Sequence, residues 1–176
     1  GVWSQMSADP ELGLVYLPVE LPTGDYYGGH RPGNGLFGES VVALDVKTGQ
    51  YRWHFQLVRH DIWDFDAANP TILFDADFDG IRRKGITAVS KGGYLYILDR
   101  TNGKPLIGIE EKPVMQEPRQ ATAATQPYPR GDSFVPQSVD IAPEGYTLVN
   151  GGKIFTPYWT DYVVGKPGIS GGANWP

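Results

Sequence analysis

One short pattern, which ends one strand and begins the next, occurs twice in this sequence. Residues 43–49 are Ala-Leu-Asp-Val-Lys-Thr-Gly, and residues 97–103, 54 positions later, are Ile-Leu-Asp-Arg-Thr-Asn-Gly. In both, an Asp closes an apolar run and a Gly precedes the next run, and residues 9–16 are a weaker third copy. A period of roughly 50 residues built of short strands is typical of β-propeller blades, and about three blades fit this length.

The composition agrees with an all-β chain. Its 176 residues include 23 Gly and 15 Pro, with 12% aromatics, and no segment has a sustained helical period. We therefore predict a single partial propeller domain over residues 1–176. A closed ring needs more blades, and residues 173–176 do not resemble a blade end, so we expect a fragment truncated at both ends.

Short runs rich in apolar, aromatic and β-branched residues predict the strands. They are residues 14–19, 40–45, 50–56, a hairpin of 85–90 with 93–99, and two late strands at 146–149 and 153–157. Residues 22–37 and 110–140 lack a regular pattern and predict long loops. The second loop, rich in Pro, Gln and Thr, is either pinned across a surface or a disordered linker.

Charge and composition exclude several classes of function. The net charge of −5, without a basic stripe, argues against nucleic acid. Apolar runs such as residues 94–98 are too short to span a bilayer, and no signal peptide is visible at the start. The absence of Cys leaves the redox compartment undecided. The three His residues lack zinc-ligand spacing, and the Gly pairs of residues 28–35 lack the helix that a phosphate site needs.

The run His-Asp-Ile-Trp-Asp-Phe-Asp at residues 60–66 places three carboxylates among large apolar side chains. A carboxylate held against aromatic surface loses hydration, so its pKa rises unless a cation compensates. Such a group can serve as a base or a metal ligand. The alternative is a strand end whose acids face water.

The motif Ala43-x-Asp45-x-x-Thr48-Gly49-x-x-x-Trp53 resembles the tryptophan-docking motif of quinoprotein dehydrogenases, which are eight-bladed propellers that use pyrroloquinoline quinone (PQQ). In that family, the Trp of one blade packs over the turn of the next. Order and spacing along the chain strengthen the resemblance: Trp3 precedes the turn at Asp9, the Trp-Asp pair of residues 63–64 follows, and Lys91 comes 27 residues after Asp64.

The resemblance implies a role for each of these residues. Trp3 matches the tryptophan on which PQQ stacks, and an indole offers a wide flat surface for it. Asp64 matches the proposed catalytic base, which removes the hydroxyl proton of the substrate. Lys91 matches the cation that bonds the quinone oxygens and stabilises their developing negative charge. Asn174 resembles a later Asn that reaches the cofactor.

Residues 25–32, 111–116 and 125–129 resemble glucose- and quinate-type members, which implies oxidation of a sugar, polyol or cyclic polyhydroxy acid. Leu21 stands where many alcohol-oxidising relatives have a calcium-binding Asn. Glu20 or Asp25 can take its place, and Asp64 and Asp66 can add carboxylates for Ca²⁺ or another hard cation. Asp66 also resembles the extra acid of lanthanide-using relatives. The family's metal-binding Glu and vicinal disulfide are expected upstream.

The same resemblance implies ubiquinone or a cytochrome as electron acceptor, a periplasmic or secreted location, and membrane association only through parts outside this chain. We expect the isolated chain to be inactive, because a ring needs more blades. The alternative is a non-catalytic β-propeller module used for binding in envelope assembly. Such a module needs the blade turn but not Trp3, Asp64 and Lys91 together.

Overall fold

The computed structural model describes residues 1–131 apart from residues 23, 25, 26 and 115, together with two short strands at Ser138–Val139 and Ile154–Phe155. Eleven strands and one 3-10 helix make up its regular structure, and these described residues contain no α-helix. In particular, none of their helices is long and apolar enough to cross a membrane. The all-β prediction is confirmed.

The first sheet is a four-stranded antiparallel meander in chain order. Its strands are β1 (Ser7–Asp9), β2 (Leu14–Val19), β3 (Ser40–Asp45) and β4 (Tyr51–Gln56). The structure confirms the predicted bounds of β2 and β3, and β4 begins one residue later than predicted. Asp45 closes β3 and accepts hydrogen bonds from the backbone N–H groups of Lys47 and Thr48, while Gly49 takes a φ of 71°. This is the turn that the repeated sequence pattern predicts.

The second sheet contains β5 (Ile72–Phe78), β6 (Ile81–Val89) and β7 (Leu95–Asp99). Strands β6 and β7 form the predicted hairpin, with Val89 opposite Leu95 across the turn that carries Lys91. Strand β5 was not predicted. Its side chains are exposed or half-buried, and two acids interrupt its apolar residues after Phe74, so it lacks the long apolar run of the predicted strands.

The prediction of a structureless loop at residues 110–140 is wrong in part. Strands β8 (Ile109–Pro113) and β9 (Thr125–Pro129) pair antiparallel, and the 3-10 helix Pro118–Gln120 lies between them. These strands contain charged and Pro residues, so the pattern of hydrophobic residues in the sequence does not indicate them. Strands β10 (Ser138–Val139) and β11 (Ile154–Phe155) form a further pair, and β11 lies inside the predicted strand 153–157. The predicted strand 146–149 lies outside the described residues, and residues 22–37 contain no strand or helix where they are described.

The two large sheets meet at the turn after β7. Trp53 of β4 is only 6% exposed, and its indole N–H donates to the carbonyl oxygen of Arg100 at 3.1 Å. Its ring covers Gly103, where an added Cβ would lie 2.5 Å from the ring. A tryptophan of one sheet therefore packs over the Asp-to-Gly turn of the next, as the tryptophan-docking motif predicts. Arg100 adds a buried ion pair with Asp9 at 2.7 Å.

A buried segment after β4 carries the acidic run into the core. Leu57, Val58, Ile62 and Phe65 are each at most 1% exposed and belong to the same apolar cluster as Tyr16 and Tyr96. Burial of these side chains is the main stabilising contribution to the segment. It fixes the backbone of residues 57–67 between the two sheets and so determines where the acids lie.

Candidate active site

The acidic run forms a tight turn around Asp64. Asp61 is 2% exposed, and its two carboxylate oxygens accept the backbone N–H groups of Trp63 and Phe65, each at 2.7 Å. Asp64 lies between these two residues with a φ of 64°, a left-handed conformation that Asp tolerates better than most residues. The Asp61 carboxylate therefore bridges both neighbours of Asp64 and holds it at the apex.

Two aromatic side chains anchor this turn. Trp63 and Phe65 are 4% and 1% exposed, and their rings stack with centroids 5.8 Å apart. Both side chains belong to the apolar core, which fixes the backbone on either side of Asp64. Burial also raises the pKa of Asp61 to about 6, although the two backbone N–H groups favour its charged form.

Lys91 joins two of the predicted site residues. Its ammonium donates to Asp64 Oδ2 at 3.1 Å and to Asp66 Oδ2 at 2.8 Å. The side chains of Lys91 and Asp66 are 13% and 10% exposed, whereas that of Asp64 is 25% exposed. Asp64 is thus the member of the triad most open to an incoming molecule.

The charges of the triad influence one another. Burial raises the pKa of Asp64 and the neighbouring Asp66 adds to this, while Lys91 opposes it; the pKa of Asp64 lies above its ordinary value. Burial lowers the pKa of Lys91, but the two carboxylates more than offset this, so its pKa is raised. The lysine is therefore a firmly charged cation beside a carboxylate with enhanced basicity.

The start of the chain, which carries Trp3, lies near Asp66 through backbone contacts of its first residue. The backbone N–H of Glu20 donates to the carbonyl of Gly1 at 3.0 Å, and the next N–H, that of Leu21, donates to Asp66 Oδ1 at 3.0 Å. The start of the chain therefore runs beside the segment that contacts Asp66. The Trp3 side chain is 58% exposed, which leaves indole surface free for a flat ligand.

The predicted metal ligands are only partly brought together. Asp64 and Asp66 share Lys91, whereas Glu20 lies next to Leu21, whose backbone N–H donates to Asp66 Oδ1. Across the described residues, no three His, Asp or Glu side chains are arranged to hold a metal ion. Carboxylates suit Ca²⁺ in kind, but two are fewer than its usual six to eight oxygen ligands. The set Asp64, Asp66 and Glu20 stays a prediction, and Asp25 and Asn174 lie outside the described residues.

Several residues that the sequence analysis did not identify make hydrogen bonds or pack next to the acidic turn. The Gln126 amide accepts from the backbone N–H of Arg59 at 2.8 Å and donates to its carbonyl at 2.7 Å, directly before His60. His60 Nδ1 lies 2.6 Å from the carbonyl oxygen of Gly33. Glu39, buried to 1% exposure, lies close to Asp61.

Comparison with known proteins shows the family of this chain. The family model described as "PQQ: Glucose/ethanol/alcohol dehydrogenase, beta-propeller domain" matches residues 1–176. The chain belongs to the PQQ-dependent dehydrogenase family. The predicted resemblance and the partial β-propeller fold are thereby confirmed.

Curated relatives of this chain include the glycerol dehydrogenase large subunit of Gluconobacter oxydans, 33% identical over 98% of this chain and 26% of that protein. A probable quinate dehydrogenase (quinone) of Xanthomonas campestris pv. juglandis is 32% identical over 99% of this chain and 24% of that protein. The chain therefore spans about a quarter of the length of these relatives.

Solved structures of the family agree with the fold. The quinohemoprotein alcohol dehydrogenase from Comamonas testosteroni matches 73% of this chain and 19% of its own, with a TM-score of 0.57 and 31% identity. A europium-containing methanol dehydrogenase matches 73% of this chain and 22% of its own, with a TM-score of 0.58 and 27% identity. The relatives are oxidoreductases with different named substrates, so membership does not define the substrate of this chain.

Proposed function

We propose that this chain supplies part of the active site of a PQQ-dependent dehydrogenase that oxidises a hydroxyl group of a sugar, polyol or cyclic polyhydroxy acid. The observation that carries the proposal is the contact of Lys91 with both Asp64 and Asp66. It joins a base and a cation, the two charges that oxidation of an alcohol requires. Resemblance of residues 25–32 and 111–116 to glucose- and quinate-type enzymes supports the substrate class.

Asp64 is the proposed base. Its side chain is the most exposed of the triad, and its raised pKa makes it a better proton acceptor than an ordinary carboxylate. It takes the proton of the substrate hydroxyl as the carbon loses hydride. When bound, PQQ supplies the two-electron acceptor for that hydride.

Lys91 and Trp3 are the proposed cofactor contacts. The Lys91 ammonium has three N–H donors. Two of them bind Asp64 and Asp66, and the third can bind a cofactor oxygen. The exposed indole of Trp3 fits a flat ring system. Asn174 is proposed as a further contact by resemblance alone. Asp64 and Asp66, with Glu20, would contribute carboxylates to Ca²⁺ or a related cation.

The electron acceptor and the cellular location are proposed for the protein at its natural length. Electrons pass to ubiquinone or a cytochrome, and the location is periplasmic or secreted. The blades that close the ring complete the pocket, so the 176 residues alone are expected to be inactive.

The test is a titration of the protein at its natural length with PQQ and Ca²⁺. Binding is followed by the quinone absorbance, and turnover by reduction of an artificial dye with glucose, glycerol and quinate as substrates. The proposal expects a saturable quinone spectrum and substrate-dependent dye reduction. Absence of both would instead favour a non-catalytic propeller module; quinone binding with turnover of none of these substrates would reject the substrate class.

A further inference from the structure

Gln126 is a buried amide whose two ends bind the backbone of a single residue far away in the sequence. It lies in β9 and is 1% exposed. Its Oε1 accepts the N–H of Arg59 at 2.8 Å, and its Nε2 donates to the carbonyl oxygen of Arg59 at 2.7 Å. A residue in an antiparallel strand pair exchanges the same two bonds with its partner strand. The Gln126 side chain therefore takes the place of a neighbouring strand for Arg59, which lies 67 positions earlier.

Arg59 stands where the chain enters the acidic turn. The next residue, His60, has a left-handed φ of 47°, and its N–H donates to the carbonyl oxygen of Asn34 at 2.9 Å. Residues 57–70 belong to no strand or helix, so no ladder of backbone hydrogen bonds holds them. Backbone groups in such a segment depend on individual partners, and a buried group without one destabilises the segment. The bonds from Gln126 are therefore decisive for the path of the chain into the turn.

Further contacts link β8 and β9 to this segment without holding the Arg59 backbone. The Tyr96 hydroxyl lies 2.9 Å from the carbonyl oxygen of Pro127 and 3.3 Å from that of Leu57. The Arg59 guanidinium binds the Glu111 carboxylate through two N–H groups, each at 2.6 Å. These two side chains are 24% and 49% exposed, and exposed ion pairs contribute little to stability. The ion pair thus cannot replace the buried amide of Gln126.

We propose that Gln126 is a positioning residue, which fixes the start of the acidic turn through the backbone of Arg59 and thereby holds Asp64 in place. Its effect on turnover rests on the proposed function, whereas its effect on the turn does not. Loss of the amide leaves the N–H and the carbonyl of Arg59 without these partners, and the chain that follows is then free to shift. A base displaced by about one ångström reacts more slowly, although the substrate still binds.

Two variants of the same hairpin isolate the contact with Arg59. Gln126→Met keeps the length of the side chain but removes both the donor and the acceptor. Gln116 is exposed, and its Nε2 donates to the carbonyl oxygens of Val114 and Ala123, each at 2.9 Å. Gln116→Met therefore also removes two hydrogen bonds to backbone, but within the hairpin and not at the acidic turn. It is the matched control for the exchange measurement.

The test uses the protein at its natural length and two measurements. Hydrogen–deuterium exchange with residue-level fragmentation reports on the amides of Arg59, Trp63 and Phe65, the last two of which donate to Asp61 within the turn. In Gln126→Met all three should exchange about tenfold faster than in the wild type, while Gln116→Met stays within about twofold. In PQQ-dependent dye reduction, Gln126→Met should lower kcat about tenfold at unchanged KM.

The outcomes distinguish this inference from the proposed function. If the wild type reduces no dye with PQQ, the proposed function fails, and the exchange measurement alone decides the role of Gln126. Faster exchange at Arg59 without faster exchange at Trp63 and Phe65 shows a purely local contact and overturns the inference. With an active wild type, an unchanged kcat or a raised KM in Gln126→Met also overturns it.

A shorter amide provides the test if Gln126→Met does not fold. Gln126→Asn keeps the polar group but withdraws it from Arg59 by one methylene. Faster exchange at Arg59, Trp63 and Phe65 in Gln126→Asn supports the inference, and wild-type exchange at these three amides overturns it.

Discussion

The indole N–H of Trp53 donates to the carbonyl oxygen of Arg100 at 3.1 Å, and this hydrogen bond joins the last strand of one sheet to the turn of the next. The hydroxyl of Tyr16 donates to the same carbonyl at 3.1 Å. One carbonyl therefore receives two donors from the preceding sheet. Both sheets contact the segment that contains Asp64. The hydrogen bonds between the sheets therefore help to fix the position of the candidate site.

The fit of Trp53 over Gly103 can be tested with a matched pair of glycines. Gly103→Ala and Gly49→Ala introduce the same methyl at φ values of 74° and 71°. At Gly49 nothing lies within 4 Å of the new Cβ, whereas at Gly103 it meets the Trp53 ring at 2.5 Å. We expect about 1–2 kcal/mol of destabilisation from the backbone alone at Gly49. At Gly103 a further ~1–3 kcal/mol comes from overpacking. Denaturant unfolding of both variants measures the difference, and equal losses would contradict the packing.

The buried pair of Asp9 and Arg100 predicts a dependence of stability on pH. Burial raises the pKa of Asp9, but its hydrogen bonds with Arg100 and with the N–H groups of Leu12 and Glu11 outweigh this, so the pKa lies below its ordinary 3.8. A carboxyl with a lowered folded pKa contributes stability above pH 3.8 and loses it as the pH falls through the folded pKa.

Replacement of Asp9 by Asn should therefore lower Tm at neutral pH by removing the charge that Arg100 binds. The gap in Tm between wild type and Asp9→Asn should stay constant down to about pH 4 and close below it. Thermal unfolding across pH 2–7 provides the measurement. A gap that widens on acidification would show that the carboxylate is not stabilised by Arg100.

Trp3 should contribute to cofactor affinity and not to folding. Its side chain is 58% exposed, so Trp3→Ala should leave Tm unchanged without cofactor. Loss of the stacking surface should weaken PQQ binding by about 1–3 kcal/mol. Met6→Ala, at a residue 60% exposed, is the control for loss of a large apolar side chain near the same end of the chain. Equal PQQ affinity in Trp3→Ala and wild type would remove Trp3 from the site.

Local features of this fold were predictable from sequence because local chemistry determines them. The turns closed by Asp45 and Asp99 depend on side-chain bonds to nearby N–H groups and on a left-handed Gly, all within five residues. Strands with buried apolar runs, such as Leu14–Val19, were also recognised. By contrast, Ile72–Phe78 and Ile109–Pro113 owe their strand conformation to pairing with partners, and their exposed charged residues give no such signal.

The candidate site was partly predictable from the family resemblance. Family spacing assigned Asp64 and Lys91 to one site, but it did not predict that Lys91 contacts both Asp64 and Asp66. Glu39 was missed because its burial results from tertiary packing between β3 and the acidic turn. A Glu before a strand usually faces water, so the position of Glu39 in the sequence does not indicate that it is buried.

Asp64 is the proposed base, and replacement of its carboxylate in Asp64→Asn provides the sharpest test of that role. Asn tolerates the left-handed backbone at this position, so the turn should survive while the carboxylate is lost. Asp79→Asn is the matched control, because Asp79 is exposed in the turn after β5 and has a φ of 51°. With PQQ bound, kcat for the oxidised substrate should fall by about 10²–10⁴-fold in Asp64→Asn, with quinone absorbance retained and Asp79→Asn unaffected. Wild-type turnover in Asp64→Asn would contradict the account.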